Sequence, residues 1–108
     1  YLISKKGKIY QLVKDKDIAW HAGKSKWNND VNLNSKSIGI ELVNTGSEAF
    51  PSDQIKALVK LLLVLKKKYN INPNFVLGHE DIAPKRKIDP GPKFPWRTLY
   101  NQNLSKKR

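Results

Sequence analysis

His79 and Asp89 carry side chains well suited to holding a divalent metal, and both lie with Lys87 in one stretch, Gly78 to Trp96. Imidazole nitrogen and carboxylate oxygen are both common zinc ligands. Pro84, Pro90, Pro92 and Pro95 fix φ along the stretch, so a loop carrying the two ligands is stiff enough to keep them at a set distance. Lys87 precedes Asp89 by two positions. On an extended segment its ammonium points to the same side as the carboxylate, where a cation can stabilise a developing oxyanion. The same residues also read as a Pro-rich basic surface loop with an incidental histidine, because one His and one Asp are a weak metal motif.

Two other places carry chemistry. Trp20, His21 and Trp27 put two indoles and an imidazole within eight positions, a composition suited to the wall of a binding cleft. The alternative is that the indoles plug the edge of the core and His21 bonds the backbone. In Ser37 to Val43, Ile38, Ile40 and Leu42 alternate with Gly39, Glu41 and Val43, the period of a strand. A carboxylate in the middle of what reads as a central strand must be paired, exposed or used, and Gly39 at the same parity clears space beside it. Glu41 as a general base and Glu41 in a salt bridge to one of the many lysines both fit.

The elements that must position these groups follow from periodicity. Tyr1–Ser4 and Lys8–Leu12 form a hairpin turned at Gly7, and its outer strand calls for a neighbour, so an N-terminal strand is expected to be missing. Val13 to Lys36 reads as a long loop. A helix starts near Pro51 with Ser52 as N-cap and runs to about Tyr69; Ile55, Leu58, Val59, Leu62 and Leu65 face a sheet, and Asn70 with Asn72-Pro73 stops it. Phe75–Gly78 is expected as a short buried strand delivering His79, and Pro95–Tyr100 as a short closing helix, followed by a polar basic tail from Asn101 to Arg108. The fold class is α/β: one small mixed sheet, one long amphipathic helix packed on it and a short C-terminal helix, in one domain over residues 1–100 with a tail over 101–108.

Composition bounds the chemistry. With 108 residues there is room for one small domain, and with no cysteine there is no disulfide framework and no thiolate metal site. The longest apolar run, Leu61 to Leu65, is too short to cross a bilayer. A net charge of +12 favours polyanionic surroundings, whether nucleic acid, anionic lipid or acidic wall polymer.

Taken in order, Ala19-Trp20-His21-Ala22-Gly23, then Ser37-Ile38-Gly39-Ile40-Glu41, then Gly78-His79 through Asp81-Ile82-Ala83-Pro84 and Arg86-Lys87 to Asp89-Pro90-Gly91-Pro92, the chain resembles the zinc-dependent N-acetylmuramoyl-L-alanine amidases of the AmpD and AmiD type. The resemblance covers Tyr1 to about Tyr100. It implies a mixed α/β domain that cleaves the amide between N-acetylmuramic acid and the L-alanine of the peptide stem in peptidoglycan or a muropeptide. It further implies His79 and Asp89 as the second and third zinc ligands, Glu41 as the catalytic glutamate, Lys87 as the site lysine, and Trp20, His21, Trp27 and Asn34 as cleft residues. The first ligand of the family is a histidine upstream of the hairpin, and no residue of this chain matches it. His21 is the only other histidine that could serve.

Three functions follow as expectations. The first is a bacterial peptidoglycan amidase, acting as a monomer and impaired by the missing ligand, with the cell envelope favoured over the cytoplasm. The second is a non-catalytic peptidoglycan-recognition module, against which Glu41 and Lys87 together argue. The third is a nucleic-acid-binding protein, which rests on charge alone, so no nucleic-acid partner is expected.

Overall fold

Three short strands and one long helix frame the site in the computed structural model, which describes residues 1–108. Strand β1 (Leu2–Ile3) pairs antiparallel with β2 (Ile9–Tyr10), and the turn between them needs Gly7, whose φ is +86° and whose missing Cβ would lie 2.6 Å from the Asp53 carbonyl oxygen. Strand β3 (Glu41–Leu42) pairs parallel with β1, giving a mixed sheet in the order β2-β1-β3. The α/β expectation holds. The segment carrying Glu41, however, lies at the sheet's edge: β1 has the central place, so Glu41 is exposed. The alternation read from sequence survives in packing, with Ile38, Ile40 and Leu42 against the core and Glu41 and Val43 outside.

Helix α1 (Ser52–Tyr69) supplies the other layer. Ile55, Leu58, Leu61 and Leu65 recur at helical spacing and bury one face on Ile3, Phe94, Leu99 and Leu104. Pro51 rather than Ser52 takes the N-cap position, and no side chain caps the end. Asn70, with φ +52°, closes the helix in the left-handed conformation that asparagine tolerates. Gln54 is fully buried at the first turn. Its Nε2 donates to the carbonyls of Ile3 at 3.1 Å and Val43 at 3.0 Å, pinning the ends of β1 and β3 to the helix.

Two expected elements take other forms. Phe75–Gly78 is not a buried strand: the Asn72 carboxamide accepts the Asn74 N–H, Pro73–Phe75 winds into a 3-10 turn, and the N–H groups of Phe75 and Val76 point back to Asn72 and Pro73. Those donors are spent, so no ladder forms, and Phe75 is 56% exposed. His79 does not sit in a loop but begins a single helical turn, α2 (His79–Ile82). Helix α3 (Trp96–Asn101) follows Pro95 as expected. The residues beyond it pack: Leu104 and Ser105 are buried, and Arg108 reaches back to α2. No helix is long and apolar enough to cross a membrane.

Candidate metal centre and active site

Gly78 is where the site is tied together. Its N–H donates to Asp81 Oδ2 at 2.7 Å, and the Asp81 N–H returns to the Gly78 carbonyl at 3.0 Å, which starts α2 with His79 as its first residue. Pro90 packs on Gly78 so closely that a Cβ there would lie 2.6 Å from Pro90 Cδ. The Glu80 N–H donates to the Asp89 carbonyl at 2.8 Å. These contacts fold the chain from 79 to 89 back on itself and bring its two ends together. Arg108 braces the turn from outside, its guanidinium on both oxygens of Asp81 at 3.0 and 2.6 Å and stacked 3.5 Å from the centre of the Trp96 ring. Burial alone would raise the Asp81 pKa. Arg108 and the Gly78 N–H outweigh it and hold the carboxyl below its ordinary value.

The outcome is a facing pair, with His79 Nδ1 at 3.3 Å from Asp89 Oδ2. The other ring nitrogen, Nε2, lies 2.9 Å from the Ala22 carbonyl oxygen. A carbonyl only accepts, so Nε2 must carry a hydrogen to bond it, and in the neutral ring Nδ1 then turns a lone pair on the carboxylate. Two acceptors at that separation repel each other, and a cation placed between them turns the repulsion into attraction. Two ligand atoms at zinc distances of about 2.0–2.2 Å, set at a tetrahedral angle, stand roughly 3.3 Å apart, so the pair fits two positions of one zinc. No third His, Asp or Glu side chain joins it. The site is open on one side, Asp89 being 61% exposed and His79 20%.

The wall opposite is the 19–27 loop, and Ala22 is its fixed point. The buried Ala22 donates its N–H to Asn34 Oδ1 at 2.7 Å, while its carbonyl takes both His79 Nε2 and a 2.7 Å bond from Arg86 Nη2. Arg86 also holds the Lys24 carbonyl, and the Lys26 N–H donates to the Ile82 carbonyl at 2.7 Å. Asn34 thus has its carboxamide oxygen committed to the backbone.

The other expected site residues divide. Glu41 is exposed and forms no ion pair, whereas Asp15, Asp30, Glu48 and Asp81 each hold a lysine or arginine. The salt-bridge alternative for Glu41 is therefore not met. His21 fills the space that Gly39 leaves: a Cβ at Gly39 would lie 2.5 Å from His21 Cγ and Nδ1, and Nε2 stands 3.3 Å from Ser37 Oγ. Burial pulls the His21 pKa below 6.5, against the Ser37 contact, and the nearby His79 adds to the lowering. His21 faces Gly39 and Ser37 and does not enter a ligand cluster with His79 and Asp89. Lys87 is half-buried with its ammonium unpaired. Trp20 stands 86% exposed, while Trp27 is half-buried with Lys106 Nζ 5.0 Å from its ring centre and its indole N–H buried without a partner.

Sequence reasoning missed Ala22, Arg86 and Arg108. A backbone carbonyl leaves no signature in a sequence. The arginines leave one: the chain has three against eighteen lysines, and two of the three make forked contacts that an ammonium cannot reproduce.

Comparison with known proteins adds a second line. The profile of the family described as N-acetylmuramoyl-L-alanine amidase matches residues 1–92. The N-acetylmuramoyl-L-alanine amidase AmiD of Escherichia coli (strain K12) is 44% identical over 108 residues, spanning 92% of this chain and 39% of the relative. The 1,6-anhydro-N-acetylmuramyl-L-alanine amidase AmpD of Haemophilus influenzae is 43% identical over 96 residues, 88% of this chain and 52% of the relative. Among solved structures, E. coli AmiD in complex with the substrate anhydro-N-acetylmuramic acid-L-Ala-D-gamma-Glu-L-Lys superposes with a TM-score of 0.92 at 40% identity, covering 97% of this chain and 47% of that one. The chain spans about half the length, or less, of these relatives.

Proposed function

Since the chain belongs to the N-acetylmuramoyl-L-alanine amidase family, we propose that residues 1–100 form a zinc amidase unit that cleaves the amide between N-acetylmuramic acid and L-alanine in peptidoglycan or a muropeptide. The observation that carries this reading is the facing of His79 Nδ1 and Asp89 Oδ2 across 3.3 Å while Nε2 is committed to Ala22. These two side chains would hold zinc, which when bound acidifies a water and polarises a carbonyl. Glu41, exposed and unpaired, takes the proton of the attacking water and delivers it to the departing alanine nitrogen. Lys87 offers its free ammonium to the oxyanion of the tetrahedral intermediate. Trp20 offers its exposed ring to the sugar or peptide, His21 and Trp27, half-buried in the same loop, complete the cleft wall, and Asn34 keeps that wall in place through Ala22.

One observation favours a second reading, a peptidoglycan-recognition module without turnover: the pair has no third side-chain ligand. Metal analysis of the purified chain, together with release of L-alanyl peptide from a muropeptide, separates the two. Zinc and peptide release are expected. Zinc-free protein that binds the muropeptide with undiminished affinity and releases nothing overturns the amidase reading in favour of recognition.

A further inference from the structure

We propose that Arg86 is a positioning residue for His79, acting through the Ala22 carbonyl; this rests on the amidase reading only in taking His79 as a metal ligand. The geometry is a relay of three groups. The Arg86 fork holds two carbonyls of the opposite loop, Ala22 at 2.7 Å and Lys24 at 2.9 Å from Nη2, with Nε at 3.2 Å from the latter. The Ala22 oxygen so held is the one that meets His79 Nε2 at 2.9 Å. That bond decides which nitrogen is free, because a ring that donates from Nε2 presents an unprotonated Nδ1 toward Asp89. Were the carbonyl to drift, Asp89 would compete for the ring proton from the other side and draw it to Nδ1, which closes the nitrogen to a metal.

Three details support an arginine in this role. Chelation of two carbonyls needs a planar fork, which the far commoner lysine lacks. Gly23, between the two carbonyls, has φ +62°, and a Cβ there would lie 2.8 Å from Arg86 Nη2, so the loop is shaped to admit the guanidinium. The Ala22 N–H, on the preceding peptide, is held by Asn34, so the residue is anchored on that side and the orientation of its carbonyl is left to the arginine.

The test reads the ring itself. Two-bond proton–nitrogen correlation spectra of the metal-free, isotope-labelled chain, with the imidazole neutral, report which nitrogen of His79 bears the hydrogen. The expected result is a ring protonated mainly at Nε2 in the parent chain, a shift to mainly Nδ1 in Arg86→Gln, and an intermediate mixture in Arg86→Lys. Gly23→Ala, which displaces the fork with the arginine retained, gives the same direction of shift. A folded Arg86→Gln variant with the parent's tautomer overturns the proposal, as does a parent ring protonated mainly at Nδ1. Should Arg86→Gln not fold, Arg86→Lys and Gly23→Ala decide by the same spectra, and loss of the fold in all three assigns Arg86 to stability and overturns the positioning role. Because no zinc or turnover is read, a chain that proves not to be an amidase leaves this outcome unaffected.

Discussion

A single missing methyl group at Gly78 sets how closely His79 and Asp89 approach. Pro90 occupies the space beside the Gly78 Cα, so Gly78→Ala forces a contact that begins at 2.6 Å and is relieved only by moving the 89–90 backbone. The expected cost is about 1–3 kcal/mol, the usual range for overpacking. Its signature is local: Asp89 separates from His79 and zinc uptake falls, while far-UV circular dichroism from α1 stays unchanged. Glu41 is the opposite kind of residue, fixed by its strand and free at its tip. Glu41→Ala is expected to lower peptide release by about 10²–10⁴-fold, the contribution of a positioned general base, with muropeptide affinity retained in calorimetry. Glu41 stood out in the sequence for a chemical reason, a carboxylate in an apolar strand, whereas Gly78 read only as the end of a strand delivering His79. The Ala22 carbonyl did not stand out, because every residue has one and only the fold selects which is used.

At the scale of elements, the hairpin and α1 were legible because each depends on local pattern: Gly7 at a turn, apolar residues at helical spacing. The Phe75–Gly78 strand was misread because its apolar run fits a strand equally well, while Asn72-Pro73 committed the neighbouring N–H groups to a 3-10 turn. Asp15 shows what the long loop does ahead of its proposed site residues. Its carboxylate accepts from the Tyr1 and Tyr69 hydroxyls and from Lys68, so the loop is tied to both β1 and α1. Bonding to Tyr1 first, then Tyr69, holds the Asp15 pKa below 3.8. A depressed acid stabilises the fold above its unfolded value and loses that contribution as pH falls through the folded one. Stability in urea titrations should therefore drop below about pH 4, and Asp15→Asn should flatten the drop. Tyr1, pushed up to about 12 by burial first and by Asp15 next, contributes fully below its ordinary 10 and loses the contribution as pH rises toward 12. Gln54 ties two further elements. Gln54→Ala leaves the Ile3 and Val43 carbonyls without their donor and should cost about 1–3 kcal/mol, read as a lower urea midpoint.

For the whole molecule, excess positive charge sets the balance. Only Lys5, Lys36, Lys68 and Arg108, four of twenty-one cationic side chains, pair with a carboxylate, so the net +12 is carried by unpaired cations that repel one another. Adding sodium chloride from about 0.01 to 0.15 M shortens the screening length from about 30 to 8 Å and should raise the thermal midpoint. A midpoint that falls over this range would show that the few ion pairs outweigh the repulsion. The composition announced this excess. It did not announce that the residues after Asn101, themselves basic, would pack, since what holds them is one buried leucine and one arginine that finds Asp81 across the fold.

The Gln54 bridge also has a consequence in time. β1 and β3 lie about 40 residues apart along the chain, and a two-strand hairpin alone is marginal in water. The parallel pairing therefore gains its third partner only when the first turn of α1 arrives with a donor for both strand ends. The strand that bears Glu41, the proposed base, is thus held both by its pairing with β1 and by the docked helix. In stopped-flow refolding, Gln54→Ala should slow the formation of the sheet more than it speeds its loss, the mark of a contact already made at the barrier.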